Sequence, residues 1–290
     1  PIWHCHHSAG RRLKYSNPQL PEDINTSESN PLTEFALLGG GALFIIALVT
    51  GAISFSAGHL AALIPYSWET KLLDSIPADG SEALVFVDDP DLSDQREHLQ
   101  ALTVALASHQ DLPDAMHPVV HLVRDPTRNA FATLGGHIVI YTGLLADLPS
   151  ENALAMVLAH EIAHLKHRDP IRAAGRTASV TLVMALLLGA TDTQGVRALA
   201  GMSTEATLMA FSRSQERQAD ATALASVAAH YGHVTDADWL FRESTRAQDA
   251  RLRAFFATHP LDAERADALQ QLADEAGWAR AGEAMPLPVW

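Results

Sequence analysis

Residues 150–169 read Ser150-Glu151-Asn152-Ala153-Leu154-Ala155-Met156-Val157-Leu158-Ala159-His160-Glu161-Ile162-Ala163-His164-Leu165-Lys166-His167-Arg168-Asp169. His160 and His164 stand four apart, about one helical turn, so both imidazoles leave the same face and can reach one ion. Glu161, beside the first histidine, is angled toward water on that ion rather than the ion itself. Leu154, Val157, Leu158, Ile162 and Leu165 give the same helix apolar faces fit for burial, where two unliganded histidines would be costly. The spacing predicts a buried helix from Ser150, a good N-cap, to His167, closed by Asp169-Pro170.

A catalytic zinc takes three protein ligands and keeps a fourth position for water, so a third ligand has to come from elsewhere in the chain. Glu216 is the candidate, within Ser212-Arg213-Ser214-Gln215-Glu216-Arg217-Gln218-Ala219-Asp220. Glu216 and Asp220 are also four apart on one helix face. One carboxylate on the metal and a second accepting a ligand histidine's remaining N–H is the expected division of labour. Alone, this spacing also describes a solvated helix face; the upstream histidine pair decides between the two.

Upstream, residues 35–68 contain no Asp, Glu, Lys or Arg, and 35–55 are apolar throughout. A hydrocarbon core of about 30 Å takes roughly 20 such residues, so one transmembrane helix fits here. The run is longer than a signal-peptide core and begins more than thirty residues in, which argues against a cleaved leader. Residues 56–65 read as an interfacial helix lying on the membrane and ending at Pro65. Arg11, Arg12 and Lys14 precede the span and only Lys71 follows closely, which places the N-terminus in the cytoplasm and the following domain on a periplasm-like side. Between the two ligand helices, residues 178–190 form an apolar run too short for a comfortable second span. A core helix and a hairpin dipping into the membrane surface are the two readings.

The remaining pattern predicts a strand at 83–87, a helix at 91–107, strands at 119–123, 130–133 and 138–141 with a hairpin about Gly135-Gly136, and helices at 204–229, 236–247 and 261–276. Residues 285–290 read as an extended tail.

With 48% apolar residues the chain can bury a core, and its formal net charge of −14 leaves no basic footprint for nucleic acid. The lone cysteine, Cys5, cannot form an internal disulfide. It lies in His4-Cys5-His6-His7, a cluster that lacks the second ligand pair of a metal site.

Several separated segments together resemble one family. They are Asn129-Ala130-Phe131-Ala132, Gly135-Gly136, Tyr141-Thr142-Gly143-Leu144-Leu145, the 160–169 segment, the element from Glu216 to Asp220, and Thr258-His259-Pro260 with Arg265 behind it. Across residues 65–268 the chain resembles the zinc metallopeptidases that include the CAAX prenyl protease, the bacterial heat-shock protease HtpX and the periplasmic protease-chaperone BepA, metallopeptidase family forty-eight. The resemblance implies zinc bound by His160, His164 and Glu216, Glu161 as the base and Asp220 behind the ligands. It implies an edge strand, Asn129, Ala130 and Phe131, on which substrate lies extended. It also implies a lidding or oxyanion role for His259, with Arg265 auxiliary. Leu134 stands where the family usually has Pro before the double glycine. His137 and His167 lie near these elements without an assigned role.

The resulting expectation is an α+β chain: a mainly helical zincin-like domain (65–280) with a small antiparallel sheet, a transmembrane and interfacial segment (32–64), an N-terminal segment (1–31) and a C-terminal tail (281–290). The expected activity is hydrolysis of unfolded or misassembled membrane and envelope proteins with one Zn2+ per chain. Expected partners are polypeptide substrates, membrane lipid and a regulatory membrane protein, with no nucleic acid. The expected location is single-pass in a bacterial inner membrane. A membrane-tethered chaperone with a latched zinc site and a regulatory scaffold are the competing readings. The single convincing span argues against a CAAX prenyl protease proper.

Overall fold

The computed structural model describes residues 15, 30–74, 89–189, 211–247, 253–260 and 263–288. The chain divides into two compact units, Pro1–Ala47 and Leu48–Trp290. In the first, the described segment is the opening part of α1 (Pro31–Ala61), whose apolar side chains are almost all exposed.

α1 continues unbroken past residue 55 to Ala61, so the expected separate interfacial helix at 56–65 is the end of the same helix. The reason is local: Ser56, Ala57, Gly58 and His59 include no proline, and Pro65 is the first residue able to stop the run. α2 (Tyr66–Asp74) follows directly. α3 (Ser93–Ala107) occupies the expected position after a 3-10 turn at Pro90–Leu92.

Three strands follow: β1 (Val119–Val123), β2 (Ala130–Ala132) and β3 (His137–Tyr141), in the order β1-β3-β2. The β2–β3 hairpin is antiparallel as expected, with Phe131 opposite Val139. β1 pairs with the far side of β3 in parallel, Val120 opposite Ile138, so the small sheet is mixed rather than purely antiparallel. β2 takes the return direction beside β3, which leaves β1 the opposite flank of β3 and the same heading. Gln100 of α3 covers β1, donating to the Pro118 carbonyl at 2.9 Å and accepting the Val120 N–H at 2.8 Å. The hairpin tip needs left-handed backbone at Gly135 (φ 74°) and Gly136 (φ 82°), which glycine adopts without penalty. The Tyr66 hydroxyl donates to the Gly135 carbonyl at 2.7 Å, the Gly135 N–H donates to Glu69 at 3.0 Å, and Glu69 pairs with Arg168 at 2.6 Å.

After the short α4 (Thr142–Leu145), α5 (Glu151–Lys166) forms the centre of the larger unit. Residues 152–165 are all buried, because Ala153, Ala155, Ala159 and Ala163 let neighbours approach on faces the leucines do not fill. Ser150 caps it, accepting the Ala153 N–H at 3.3 Å. α6 (Asp169–Leu188) starts at Asp169-Pro170, with Arg168 at φ 63°, and ends at Gly189. α7 (Arg213–Tyr231) packs along α5 and opens with a capping box between Ser212 and Gln215. α8 (Trp239–Ala247), α9 (Arg253–Thr258) and α10 (Ala263–Ala276) complete the order. α9 has no counterpart in the sequence reading. Residues 83–87, 204–210 and the His4–His7 cluster lie outside the described residues.

Residues 178–188 continue α6, and Val180, Leu182, Met184, Leu186, Leu187 and Leu188 are exposed. That rules against the core-helix reading. The tail is held: Met285 donates its N–H to Asn152 Oδ1 and accepts the Glu151 N–H, both at 2.8 Å.

Candidate active site

His160 and His164 leave α5 on one face, as the four-residue spacing dictates, with their Nε2 atoms 3.0 Å apart. α7 crosses that face and brings Glu216 to them, with Oε2 3.5 Å from His160 Nε2 and Oε1 3.4 Å from His164 Nε2. His259, just past α9, adds Nδ1 at 3.3 Å from both His160 Nε2 and Glu216 Oε1. All four side chains are buried. Phe211 stacks on His164 and Phe255 on His259, so each ring is fixed from its face.

The donor set fits a divalent cation. Ligands at about 2.0–2.1 Å in a tetrahedron lie about 3.3–3.4 Å from one another. Five separations among these donors, taking either Glu216 oxygen, run from 3.0 to 3.5 Å, and the four donors all lie within 4.8 Å of one another. Charge points the same way: buried carboxylates of Glu161, Asp169, Glu216 and Asp220 gather about the imidazoles, with Arg265 the buried guanidinium among them. A cation supplies the positive charge that this surplus calls for.

The outer nitrogens are also claimed. His160 Nδ1 lies 3.0 Å from Asp220 and His164 Nδ1 lies 2.9 Å from Asp169, an arrangement that leaves both Nε2 atoms free to ligate. Arg265 grips Asp220 through Nε and Nη2 at 2.7 and 2.8 Å and reaches Glu216 through Nη1 at 2.8 Å. Burial alone pulls His160 down, yet Asp220 and Glu216 outweigh it and push the imidazole up to about 10. His164 is raised as well: burial and His160 oppose, Asp169 and Glu216 prevail. Against burial, His259, His160 and His164 hold Glu216 far below the usual carboxylate range.

Glu161 is fully buried and accepts the Ala132 N–H through Oε2 at 2.7 Å. Its Oε1 lies 3.3 Å from His259 Nε2 and has no hydrogen-bond partner among the described residues. The Thr133 N–H donates to the His137 carbonyl of β3 and the Tyr141 N–H of β3 donates to the Asn129 carbonyl, while the N–H of Ala132 and the carbonyl of Ala130 face the site. His259 Nε2 is 3.3 Å from that carbonyl.

The geometry thus brings together His160, Glu161, His164, Glu216, Asp220, His259 and Arg265, with Ala130 and its strand at the rim. Asn129 turns inward instead, its Oδ1 accepting from the Ala130 N–H and the Thr258 hydroxyl, and the Phe131 side chain is buried. His167 points elsewhere, to Thr222, and His137 meets His121 at 2.9 Å. The sequence reading missed two residues. Asp169 backs His164, and Gln215, which caps α7, also donates to Asp169. An acidic residue five positions after the second histidine was a usable signal for the first; nothing marked the second.

The sequence profile of Peptidase family M48 matches residues 93–273. The chain is 30% identical over 159 residues to the mitochondrial metalloendopeptidase OMA1 of Schizosaccharomyces pombe, covering 54% of this chain and 47% of that protein. It is 30% identical over 151 residues to a putative beta-barrel assembly-enhancing protease of Vibrio cholerae, covering 49% and 30%. With the beta-barrel assembly-enhancing protease of Escherichia coli it shares 32% over 144 residues, covering 46% and 28%. The chain therefore spans less than half the length of these relatives.

Proposed function

The chain belongs to peptidase family M48, and from that premise we propose that it is a membrane-anchored, zinc-dependent endopeptidase acting on unfolded or misassembled membrane and envelope proteins. The observation that carries this reading is the meeting of His160, His164 and Glu216 about one point with Glu161 beside it. In this reading those three residues hold one zinc ion per chain, while Asp220 and Asp169 fix the imidazole rings through their Nδ1 atoms. Bound zinc supplies Lewis acidity, which polarises the scissile carbonyl and lets water be activated near neutral pH.

Glu161 takes the proton from water at Oε1 and returns it to the leaving nitrogen, while the Ala132 N–H keeps Oε2 in place. No acyl-enzyme forms. His259 stands against Glu161 and the Ala130 carbonyl, where it stabilises the oxyanion. Arg265 neutralises and orients Glu216 and Asp220. Substrate lies extended along the outer edge of β2, from Asn129 to Phe131, so recognition reads backbone more than side chains. That mode suits unfolded polypeptides.

α1 is long and apolar enough to cross a bilayer and serves as the anchor. The basic residues Arg11, Arg12 and Lys14 before it support a catalytic unit on the periplasmic side of a bacterial inner membrane, and the reading includes a regulatory membrane protein that restrains it.

One observation favours a second reading, a tethered chaperone or assembly factor with a latched site. His259 Nδ1 sits at the fourth corner of the donor set, where a closed structural site has its fourth ligand.

The test is cleavage of an unfolded model protein by the purified chain beside Glu161→Gln, with zinc measured in both. Cleavage by the wild type alone, with about one zinc in each as a single four-donor site allows, supports the peptidase and its base. Full turnover by Glu161→Gln removes Glu161 as base. Failure of both at full zinc occupancy, with activity gained by His259→Ala, selects the latched reading.

A further inference from the structure

The larger unit contains an apolar surface that the candidate site does not use. On α6, Leu182, Leu186 and Leu188 are 59%, 68% and 63% exposed, and Val180, Met184 and Leu187 are exposed with them. Successive helical residues point about 100° apart, so Leu186, Leu187 and Leu188 face three directions, and no partner docked on one side covers all three. A helix apolar all round is at home in hydrocarbon.

The foot of this surface meets α1. Gly175 lies so close to Ala57 and Ala61 that a Cβ there would come within 3.0 Å of both, and Gly58 is comparably close to Arg172 and Arg176. The Ser179 hydroxyl donates to Ser54 at 3.1 Å, and Ser54 donates to the Arg176 carbonyl at 3.2 Å. Small residues and hydroxyl bonds of this kind join helices closely in lipid. The contacts run in opposite chain order, Ser54 with Ser179 and Gly58 with Arg172, so the two helices leave the contact with exposed apolar side chains in the same sense. On α1 these are Ile53, Val49 and Leu48. The charged residues of α6, Asp169, Arg172 and Arg176, all precede residue 178.

We propose that residues 178–188 of α6 are buried in bilayer acyl chains beside α1, so that the active site is held at the membrane surface. This rests on the membrane-anchored reading above. Asp169, whose carboxylate backs His164, fixes the start of α6 in the protein, so the whole helix does not span the bilayer. The eleven residues from 178 cover about 16 Å, roughly half of a 30 Å hydrocarbon core. The nine steps from Asp169 to residue 178 put the Asp169 end of α6, whose carboxylate meets His164, about 14 Å from the acyl chains along the helix axis. Substrates are then polypeptide segments lying against or leaving the bilayer.

The experiment uses the full chain with Cys5→Ser and one new cysteine at a time: Leu182→Cys, Leu186→Cys, Leu187→Cys, Leu48→Cys on α1 or Val104→Cys, an exposed apolar position on α3. Each is labelled with an environment-sensitive fluorophore and reconstituted into phosphatidylcholine–phosphatidylglycerol vesicles with or without brominated acyl chains. Quenching at all three α6 positions within about twofold of that at Leu48, with none at Val104, supports the proposal, as expected for probes sharing one hydrocarbon layer. Quenching at Leu48 alone overturns it while leaving the α1 anchor intact. Emission at the α6 positions that is blue-shifted but unquenched assigns the surface to protein, a second copy if it varies with protein density, and overturns it equally. Quenching nowhere overturns both the insertion and the anchor.

Discussion

Arg265 Nη1 lies 2.8 Å from Glu216 Oε2, a fully buried guanidinium against a fully buried carboxylate. The same side chain grips Asp220 with its other nitrogens, so one residue near the start of α10 neutralises two carboxylates presented by α7. Arg265→Leu takes the guanidinium away from both and leaves only imidazoles beside them. Its expected cost is about 3–5 kcal/mol, read as loss of stability in denaturant unfolding of the zinc-free protein. Arg265→Lys keeps the charge but loses the planar fork and recovers only part of this. Stability within experimental error of wild type in Arg265→Leu would remove the bridge from the account.

In the proposed zinc site, Asp169 and Asp220 would act on the metal through the imidazoles behind which they sit. Asp169→Asn and Asp220→Asn are each expected to weaken zinc binding by about 10–100-fold, since neither touches the cluster yet each orients a donor. Competition against a fluorescent chelator measures it. Unchanged affinity in Asp169→Asn would show that α5 orients His164 without help.

Metal removal should cost stability as well as activity. With buried carboxylates crowding the imidazoles, a zinc ion at a thousand times its dissociation constant adds about 4 kcal/mol to the folded state by mass action. Tm should rise steadily with free zinc and lose that dependence in His164→Ala. A Tm indifferent to zinc in the wild type contradicts a native metal site here.

The hairpin tip depends on α2. Tyr66→Phe removes the hydroxyl that donates to the Gly135 carbonyl and is expected to cost about 1 kcal/mol. Hydrogen exchange should register it as faster exchange at the Gly135 and Gly136 amides, with α5 unaffected. Equal acceleration in both places would mean that α2 supports the unit globally.

The site was legible wherever function forces a local spacing. His160 with His164, and Glu216 with Asp220, each had to fall four apart on a helix, and α5 had to be apolar on every face to be buried. Gln215 escaped notice because its two tasks come from contacts distant in sequence, which spacing does not encode. The parallel pairing of β1 escaped for the same reason: a short apolar strand has no intrinsic direction. At residues 178–188 apolarity was plain, but whether such a run is covered by protein depends on its neighbours, and the described neighbours leave it uncovered. The helix end at residue 61 rather than 55 was readable, since no helix breaker precedes Pro65.

Gln215 closes the capping box that starts α7 and donates to the carboxylate behind His164, while its chain neighbour is Glu216. The start of α7 and the start of α6, which follows directly on the histidine helix, thus share a crossbar where each helix is most prone to fray. If the first turn of α7 unwinds, Glu216 swings away and His164 loses the bracing of its ring in the same event. Loss of one donor therefore brings loss of the next, and the cluster comes apart cooperatively rather than ligand by ligand.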